Sequence, residues 1–432
     1  MADEKDSRLR VEELPPVIWE FLVGTATLSV ASAVYCLVML LGFHRDFPYV
    51  WPFFLPKARF SDFFIYEQKF QFFHQAAFFS TGFPFTYPAP MALLYKLFFL
   101  LGDTADLCAF LAFLCLAFVV PTVLFGRALA KCGVSGKAAA TVAGAALLLS
   151  WPALLLFDRA NVEVFVWVAL GVGTWAYARK KEWTAAAMFG LAASLKLFPF
   201  VYLALFFTRR GYKKLLFGVG IFLVVTVGSL TVLGPTVPVA YHGISSGLRY
   251  FDKEYMETVK PDETGVDHSL LALGKVVNQA VSGSNGVDVL RRMVKVYLPL
   301  TAVCGLLLYF LRIRKLPCIN QLLALTIIAI TFTPFSGDGT LIHLYYPFVA
   351  CCFLAIDAWR RQVNVPGLRV VFWCFAFLLS TESFFVFYGQ RYEGQAKCLV
   401  LGILLVCALR YPLGEDAPGL STRGVAQLVR ND

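Results

Sequence analysis

Two carboxylates, Asp62 and Glu67, stand in FSDFFIYEQKF, one of the most aromatic stretches of the chain. A carboxylate among phenylalanines faces water, caps a helix or is held for chemistry. Further on come Asp158, Arg159 and Asn161 in DRAN, and Lys196 in SLKLFP. Asp267 and His268 follow in VDHSL, and Asp338 and His343 in SGDGTLIH. A positioned carboxylate can take the proton of an attacking hydroxyl. Lysine and arginine can hold phosphate oxygens. Together these residue types fit work on a lipid-borne, phosphorylated substrate. Histidines so scattered do not form a metal site. The cysteines within apolar runs (Cys108, Cys115, Cys304, Cys351, Cys352, Cys374) read as small buried hydrophobes. No nucleotide-binding signature is present, and neither a cofactor nor a metal is required.

The elements that must position these residues are apolar. Hydrophobic residues make up 59% of the chain and charged residues 15%, where a soluble domain carries about 25% charged. Mean hydropathy is +0.68. The bilayer is the solvent this composition calls for, and the chain reads as an all-α polytopic membrane protein. The net charge of +10 does not point to nucleic acid, because the basic residues fall in short loops between apolar runs. The first run follows a charged head, is longer than a cleavable signal's core and lacks a small-residue cleavage site. It is read as a retained span.

Apolar windows predict spans near 17–43, 105–128, 136–156, 162–178, 184–208, 213–233, 293–312, 318–335, 340–358, 368–386 and 396–411. Placing every basic cluster (127–137, 179–181, 209–214, 312–315, 360–361) in the cytoplasm satisfies the positive-inside rule. Both ends of 184–208 then lie inside, and Pro199 breaks its middle. It is expected to be two short half-helices, which gives about twelve passes with both termini cytoplasmic. Non-helical backbone at that depth is tolerated only where it lines a cavity. Segments 44–104 and 234–292 become outer loops carrying interfacial helices. The expected organisation is a cytoplasmic segment 1–16, a membrane domain 17–411 and a polar cytoplasmic tail 412–432. The mapped charges fall on the outer side.

DFFIYEQKFQFFHQAAFFSTGFPFTYPAPMALLY, with its aspartate, aromatic residues and closing F-x-YP-x-P, resembles the first outer loop of glycosyltransferase family 87. DRANVEVFVWVALGVGTWAYARKKEWTAAAMFGLAASLKLFPF resembles its central signature. DHSLLALGKVV is similar to its N-Q-S-L stretch, and TPFSGDGTLIHLYYP to its later polar turn. The resemblance implies a GT-C fold in the plasma (inner) membrane. It also implies hexosyl transfer, often of mannose, from a polyprenyl-phosphate donor to a lipid-linked or glycan acceptor. On that resemblance Asp62 is the general base, Lys196 contacts the donor phosphate and His343 sits close to the reaction centre. Arg159, Asn161 and His268 are further substrate-binding candidates. This chain departs from the family pattern in having one histidine in its polar turn and Asp267-His268 in place of Asn-Gln.

Each residue also has a plainer reading. Asp62 could cap the helix after it, and Glu67 could simply be solvated. Lys196 could snorkel to the interface. Arg159 could be an interfacial anchor paired with Asp158, and Asn161 an N-cap. His268 could be a loop residue, His343 a core histidine and Asp338 a turn residue. Two rival functions are a polyisoprenoid flippase and a scaffold that binds glycolipid without chemistry.

Overall fold

The computed structural model describes residues 14–45, 49, 59–208, 210–257, 265–283, 286–381, 386–387 and 390–414. The expected cytoplasmic head and tail fall almost wholly outside them. The described chain is helical apart from a two-residue ladder pairing Val386–Phe387 with Gln390–Arg391. Helix α1 is Pro16–Leu37, prolonged by a π turn to Gly42, with proline at its first position. The first outer segment folds as the one-turn helix Ser61–Phe64, a 3₁₀ run Glu67–Phe72, the one-turn helix Ala77–Ser80 and α2, Ala89–Phe98. Then come α3 (Asp103–Lys131), α4 (Gly136–Ala143), α5 (Trp151–Arg159), α6 (Glu163–Ala178) and α7 (Glu182–Leu195). After the 3₁₀ run Phe198–Ala204 follow α8 (Tyr212–Leu233), α9 (Val237–Phe251), α10 (Leu270–Ser282) and α11 (Val287–Leu311). Helix α12 (Cys318–Thr331), the 3₁₀ turn Asp338–Leu344, α13 (Tyr345–Arg360), α14 (Leu368–Leu379) and α15 (Glu393–Arg410) complete the bundle.

The bundle is apolar outside and charged inside. Helices α8 and α11 turn Leu216, Leu223, Val224, Val296, Leu300 and Leu307 outward, while Glu163, His268, Asp338, His343 and Lys397 are buried. That inversion belongs to a protein solvated by lipid. Among the described residues five helical stretches are long and apolar enough to cross a bilayer, or six if a bent pair counts as one.

Several expected spans are shorter or broken. The window at 136–156 is not one helix. A π turn at Gly144–Leu148 and Pro152 near the start of α5 divide it, with a bend of 51°. Helices α6, α12 and α14 run 16, 14 and 12 residues, short of the roughly 20 that a full crossing needs. Helix α12 can stop early because it is enclosed by protein. Every residue of α12 from Asn320 to Thr331 is buried. Asn320 Nδ2 donates to the carbonyls of Ala408 and Tyr411 at 2.6 and 2.7 Å.

The broken segment at 184–208 forms as expected. Lys196 adopts an extended conformation after α7, and the chain returns through the 3₁₀ run. Lys214 Nζ lies 3.0 Å from Glu182 Oε2, so the chain leaves and returns at one face. The two arms approach α8 closely: a Cβ on Gly190 would lie 2.2 Å from the Gly218 carbonyl oxygen, the small-residue contact of membrane helices. The outer-segment helices, expected to lie in the interface, pack in different ways. Helix α2 buries Ala89, Met91, Ala92 and Tyr95 against the bundle, while α9 and α10 leave Val237, Tyr241, Val277 and Val281 exposed.

Helix α6 separates two chemically different ends. Glu163 begins it and the basic turn 179–181 ends it, about 24 Å away at 1.5 Å per residue. Helix α13 runs the same way between His343 and Arg360, and α7 between Lys196 and Glu182. One end of the bundle therefore gathers basic loops, and the other gathers the candidate chemistry.

Candidate functional site

The aromatic stretch around Asp62 is a mounting. Phe99 stacks on Phe63 at 4.6 Å and on Phe70 at 4.8 Å. Tyr95 Oη donates to the Asp62 carbonyl at 2.9 Å. Lys69, 1% exposed, donates to the carbonyls of Phe78 and Thr81 and closes the loop between them. The Phe60 N–H donates to the Asp158 carbonyl at 2.7 Å, which ties this segment to the end of α5. Phe60 takes φ 55° to do so. Ala160, fully buried, takes φ 49° where α5 turns into α6. Left-handed backbone at non-glycine residues costs energy and persists where the surroundings force it. Here it lets Arg159 and Asn161, on either side of Ala160, face the same partner.

That partner is Asp62. Its Oδ1 lies 3.0 Å from Arg159 Nη2, and its Oδ2 accepts from Asn161 Nδ2 at 2.5 Å. The N-cap of the one-turn helix is Phe60, so Asp62 stands within that helix and not at its cap. Arg159 pairs with Asp62 and not with Asp158, whose Oδ2 is buried without a hydrogen-bond partner among the described residues. The Asn161 amide is used at both ends: Oδ1 accepts from the Glu163 N–H at 2.8 Å while Nδ2 donates to Asp62 Oδ2.

Glu163 is the residue that sequence reasoning missed. It opens α6, where a carboxylate suits the positive helix end. Its Oε2 lies 2.5 Å from Lys196 Nζ, and its Oε1 lies 2.7 Å from His343 Nε2. Lys196 has the complementary place at the C-terminal end of α7, with the Phe198 ring 5.4 Å from Nζ. One bonded chain thus runs Arg159–Asp62–Asn161–Glu163, then divides to Lys196 and His343. The Asp62, Arg159 and Lys196 side chains are 22%, 37% and 33% exposed, against 5% for Glu163 and 0% for His343. The first three form an open rim, with Glu163 and His343 behind it. A signal for Glu163 existed: it is the one charged residue within the window 162–178, and charge inside a span is a functional candidate.

Five of the six expected site residues therefore converge: Asp62, Arg159, Asn161, Lys196 and His343. His343 lies deeper than expected, reaching the rim only through Glu163. His268 is not brought to this chain of residues. It is fully buried among Ser336, Thr340 and Asp338, at 3.0, 3.2 and 3.7 Å. Asp267 beside it accepts the N–H groups of Ser269 and Ser336 at 2.9 Å each, and burial pushes its carboxyl up from the usual range. Glu67 is half-buried and outside the network. Among the described residues no group of three or more His, Cys, Asp or Glu stands close enough to hold a metal ion.

A helical bundle solvated by lipid, with acids and bases gathered at one end, is the frame of a membrane enzyme. The family model of glycosyltransferase family 87 matches residues 85–381. That is well over half of the chain, which therefore belongs to glycosyltransferase family 87. Curated proteins and solved structures each gave no match. The matched region contains Arg159, Asn161, Glu163, Lys196 and His343; it begins after Asp62.

Proposed function

We propose that this glycosyltransferase moves a hexose, mannose in our reading, from a polyprenyl-phosphate sugar to a lipid-linked or glycan acceptor, with inversion. The observation that carries the proposal is the shared rim: a carboxylate fixed on both oxygens stands on the same bonded chain as a half-exposed lysine. Asp62 takes the proton of the acceptor hydroxyl, whose oxygen attacks the anomeric carbon opposite the phosphate. The carbon–oxygen bond to phosphate breaks, and its electron pair leaves with the polyprenyl phosphate. Phosphate is already a good leaving group once cations neutralise it, so the second carboxylic acid of glycoside hydrolysis is not needed. An ammonium has three N–H donors. Lys196 spends one on Glu163, leaving donors for phosphate oxygens, with Arg159 as a further cation. His343 acts by holding Glu163.

We read the architecture as a GT-C fold of about twelve passes, counting the shorter helices. The site lies at the outer face of the plasma membrane, with 17–411 as the catalytic domain and both termini cytoplasmic. The support is the roughly 24 Å between rim and basic loops, together with the inward preference of basic residues. In intact cells, single cysteines at Thr81 and Val281 are expected to react with an impermeant thiol reagent, and one at Lys213 only after permeabilisation. The reverse pattern would move the site to the cytoplasm.

The donor contact has its own test. Lys196→Ala is expected to raise the KM for donor by about 10- to 100-fold, the worth of one charge-assisted hydrogen bond. Lys196→Arg should recover part of the loss, since both cations meet phosphate but the guanidinium needs more room. Unchanged donor dependence in Lys196→Ala would leave the lysine as no more than Glu163's partner.

A further inference from the structure

Behind the rim lies a second ionic cluster that the transfer chemistry does not use. Asp338, 2% exposed, receives Lys397 Nζ on Oδ1 at 2.9 Å and Trp151 Nε1 on Oδ2 at 2.8 Å. His268 Nδ1 lies 3.7 Å from Oδ1. Lys397 is fully buried. Taking two charges out of solvent is so costly that well-packed apolar residues often serve stability as well or better. The pair calls for another reason.

Two elements supply it, because each has one end in this cluster and the other in the bonded chain that runs from Arg159 to His343. Helix α5 carries Trp151 at its start and Arg159 at its end. The 3₁₀ turn carries Asp338 at its start and His343 one residue before its end. They pack as one piece: a Cβ on Gly339 would lie 2.9 Å from Leu156 Cδ2. Lys397 comes from α15, beyond the region matched to the family. The start of α15 is itself pinned. The Gly394 N–H donates to the Gly265 carbonyl at 2.7 Å, and a Cβ on Gly394 would lie 2.4 Å from the Asp267 carbonyl oxygen.

We propose that the buried Lys397–Asp338 pair is a positioning device. By anchoring the starts of α5 and of the 3₁₀ turn together, it sets the register at which Arg159 meets Asp62 and His343 meets Glu163. Neither residue touches substrate. The inference rests on reading the rim as the transfer site, and it makes the last helix of the chain part of the catalytic assembly.

The test compares Lys397→Met, the double variant Asp338→Asn/Lys397→Met and the parent, each purified in lipid. Lys397→Met leaves a buried carboxylate without its cation. The double variant removes both charges and keeps an oxygen to accept from Trp151. Three quantities are read: amide exchange over 151–161 and 338–344, donor bound per protein, and turnover per bound donor at saturation. Lys397→Met is expected to speed exchange in both arms by about tenfold or more while α10 is unchanged. Donor binding stays at the parental stoichiometry, and turnover per bound donor falls about tenfold or more through misplacement of the site groups. The double variant should return turnover to within about fivefold of the parent, because the carboxylate at 338 is removed together with its cation. A pair that only stabilises the fold would lower donor stoichiometry and total turnover together, with turnover per bound donor parental. That result overturns the proposal, as does unchanged exchange in both arms. If Lys397→Met yields no folded protein, Trp151→Phe decides, since it removes the N–H that Asp338 accepts, with part of the ring, and changes no charge. Faster exchange over 151–161 with lower turnover per bound donor supports the device, and parental behaviour overturns it. A parent that binds no polyprenyl-phosphate hexose would overturn the donor reading instead. The exchange data would then judge the positioning by themselves.

Discussion

Asp62→Asn is expected to accumulate as folded protein, to bind donor and to lose transfer by at least about a hundredfold. Losing a general base costs roughly a hundred- to ten-thousandfold in rate, or about 3–5 kcal/mol of barrier. Asparagine keeps the size and one acceptor but cannot take a proton from the acceptor hydroxyl. The structure adds a modest stability cost. Asn161 Oδ1 is committed to the Glu163 N–H, so Asn161 must keep presenting Nδ2 to position 62. An amide there offers one oxygen to two donors, Arg159 and Asn161, and turns its own NH₂ toward one of them. A mismatched buried polar group costs about 1–3 kcal/mol. Arg159 is partly exposed, which places the cost at the lower end. Transfer measured at saturating donor, beside equilibrium donor binding, checks the prediction. Near-parental transfer would remove the proposed mechanism and make Glu67 the next residue to test. Survival of donor binding with no turnover to lose in the parent would favour a glycolipid-binding scaffold.

The second large effect is expected at a residue that the sequence reading passed over. Glu163→Gln keeps the side-chain length and the helix start but removes the charge shared by Lys196 and His343. One amide oxygen cannot replace a carboxylate that accepts on both sides, so Lys196 and His343 compete for it. Turnover is expected to fall about a hundredfold, the scale of loss for a displaced catalytic constellation. Donor affinity should hold or tighten, because the carboxylate that competes with phosphate for Lys196 has gone. A fall in kcat without a rise in KM marks a residue that shapes the transition state and not ground-state binding. Donor affinity weakened in step with turnover would show Glu163 to be only a clamp on the fold. Glu163→Ala is the poorer test, because it also leaves the fully buried His343 without its hydrogen-bond partner and empties the space between His343 and Lys196, which endangers folding.

The sequence reading found Asp62, Arg159, Asn161, Lys196 and His343 by one rule, that polar groups in an apolar chain are expensive and so are kept for a purpose. The same rule covers Glu163, which fell inside the expected span 162–178 and was not singled out, because hydropathy windows tolerate one charge near an end. His268 failed differently. Its type and its neighbour Asp267 suited a sugar contact, and the fold buries it among Ser336 and Thr340, apart from the rim. Pass counting was partly right for a similar reason. Hydropathy locates apolar stretches but does not register where a helix stops, and α6, α12 and α14 are only 16, 14 and 12 residues long.

By itself the sequence determined the solvent, the helical class, the break at Lys196 and the residue types available for chemistry. Each of these follows from transfer free energies and backbone sterics, which act locally along the chain. Which groups meet was decided only by the tertiary structure. Asp62 reaches Asn161 across 99 positions, and His343 reaches Glu163 across 180. Lys397 reaches Asp338 from a helix near the end of the chain. No local pattern specifies those meetings. They arise because the bundle leaves few places where a buried charge can find its partner, and the left-handed turns at Phe60 and Ala160 aim the side chains into them.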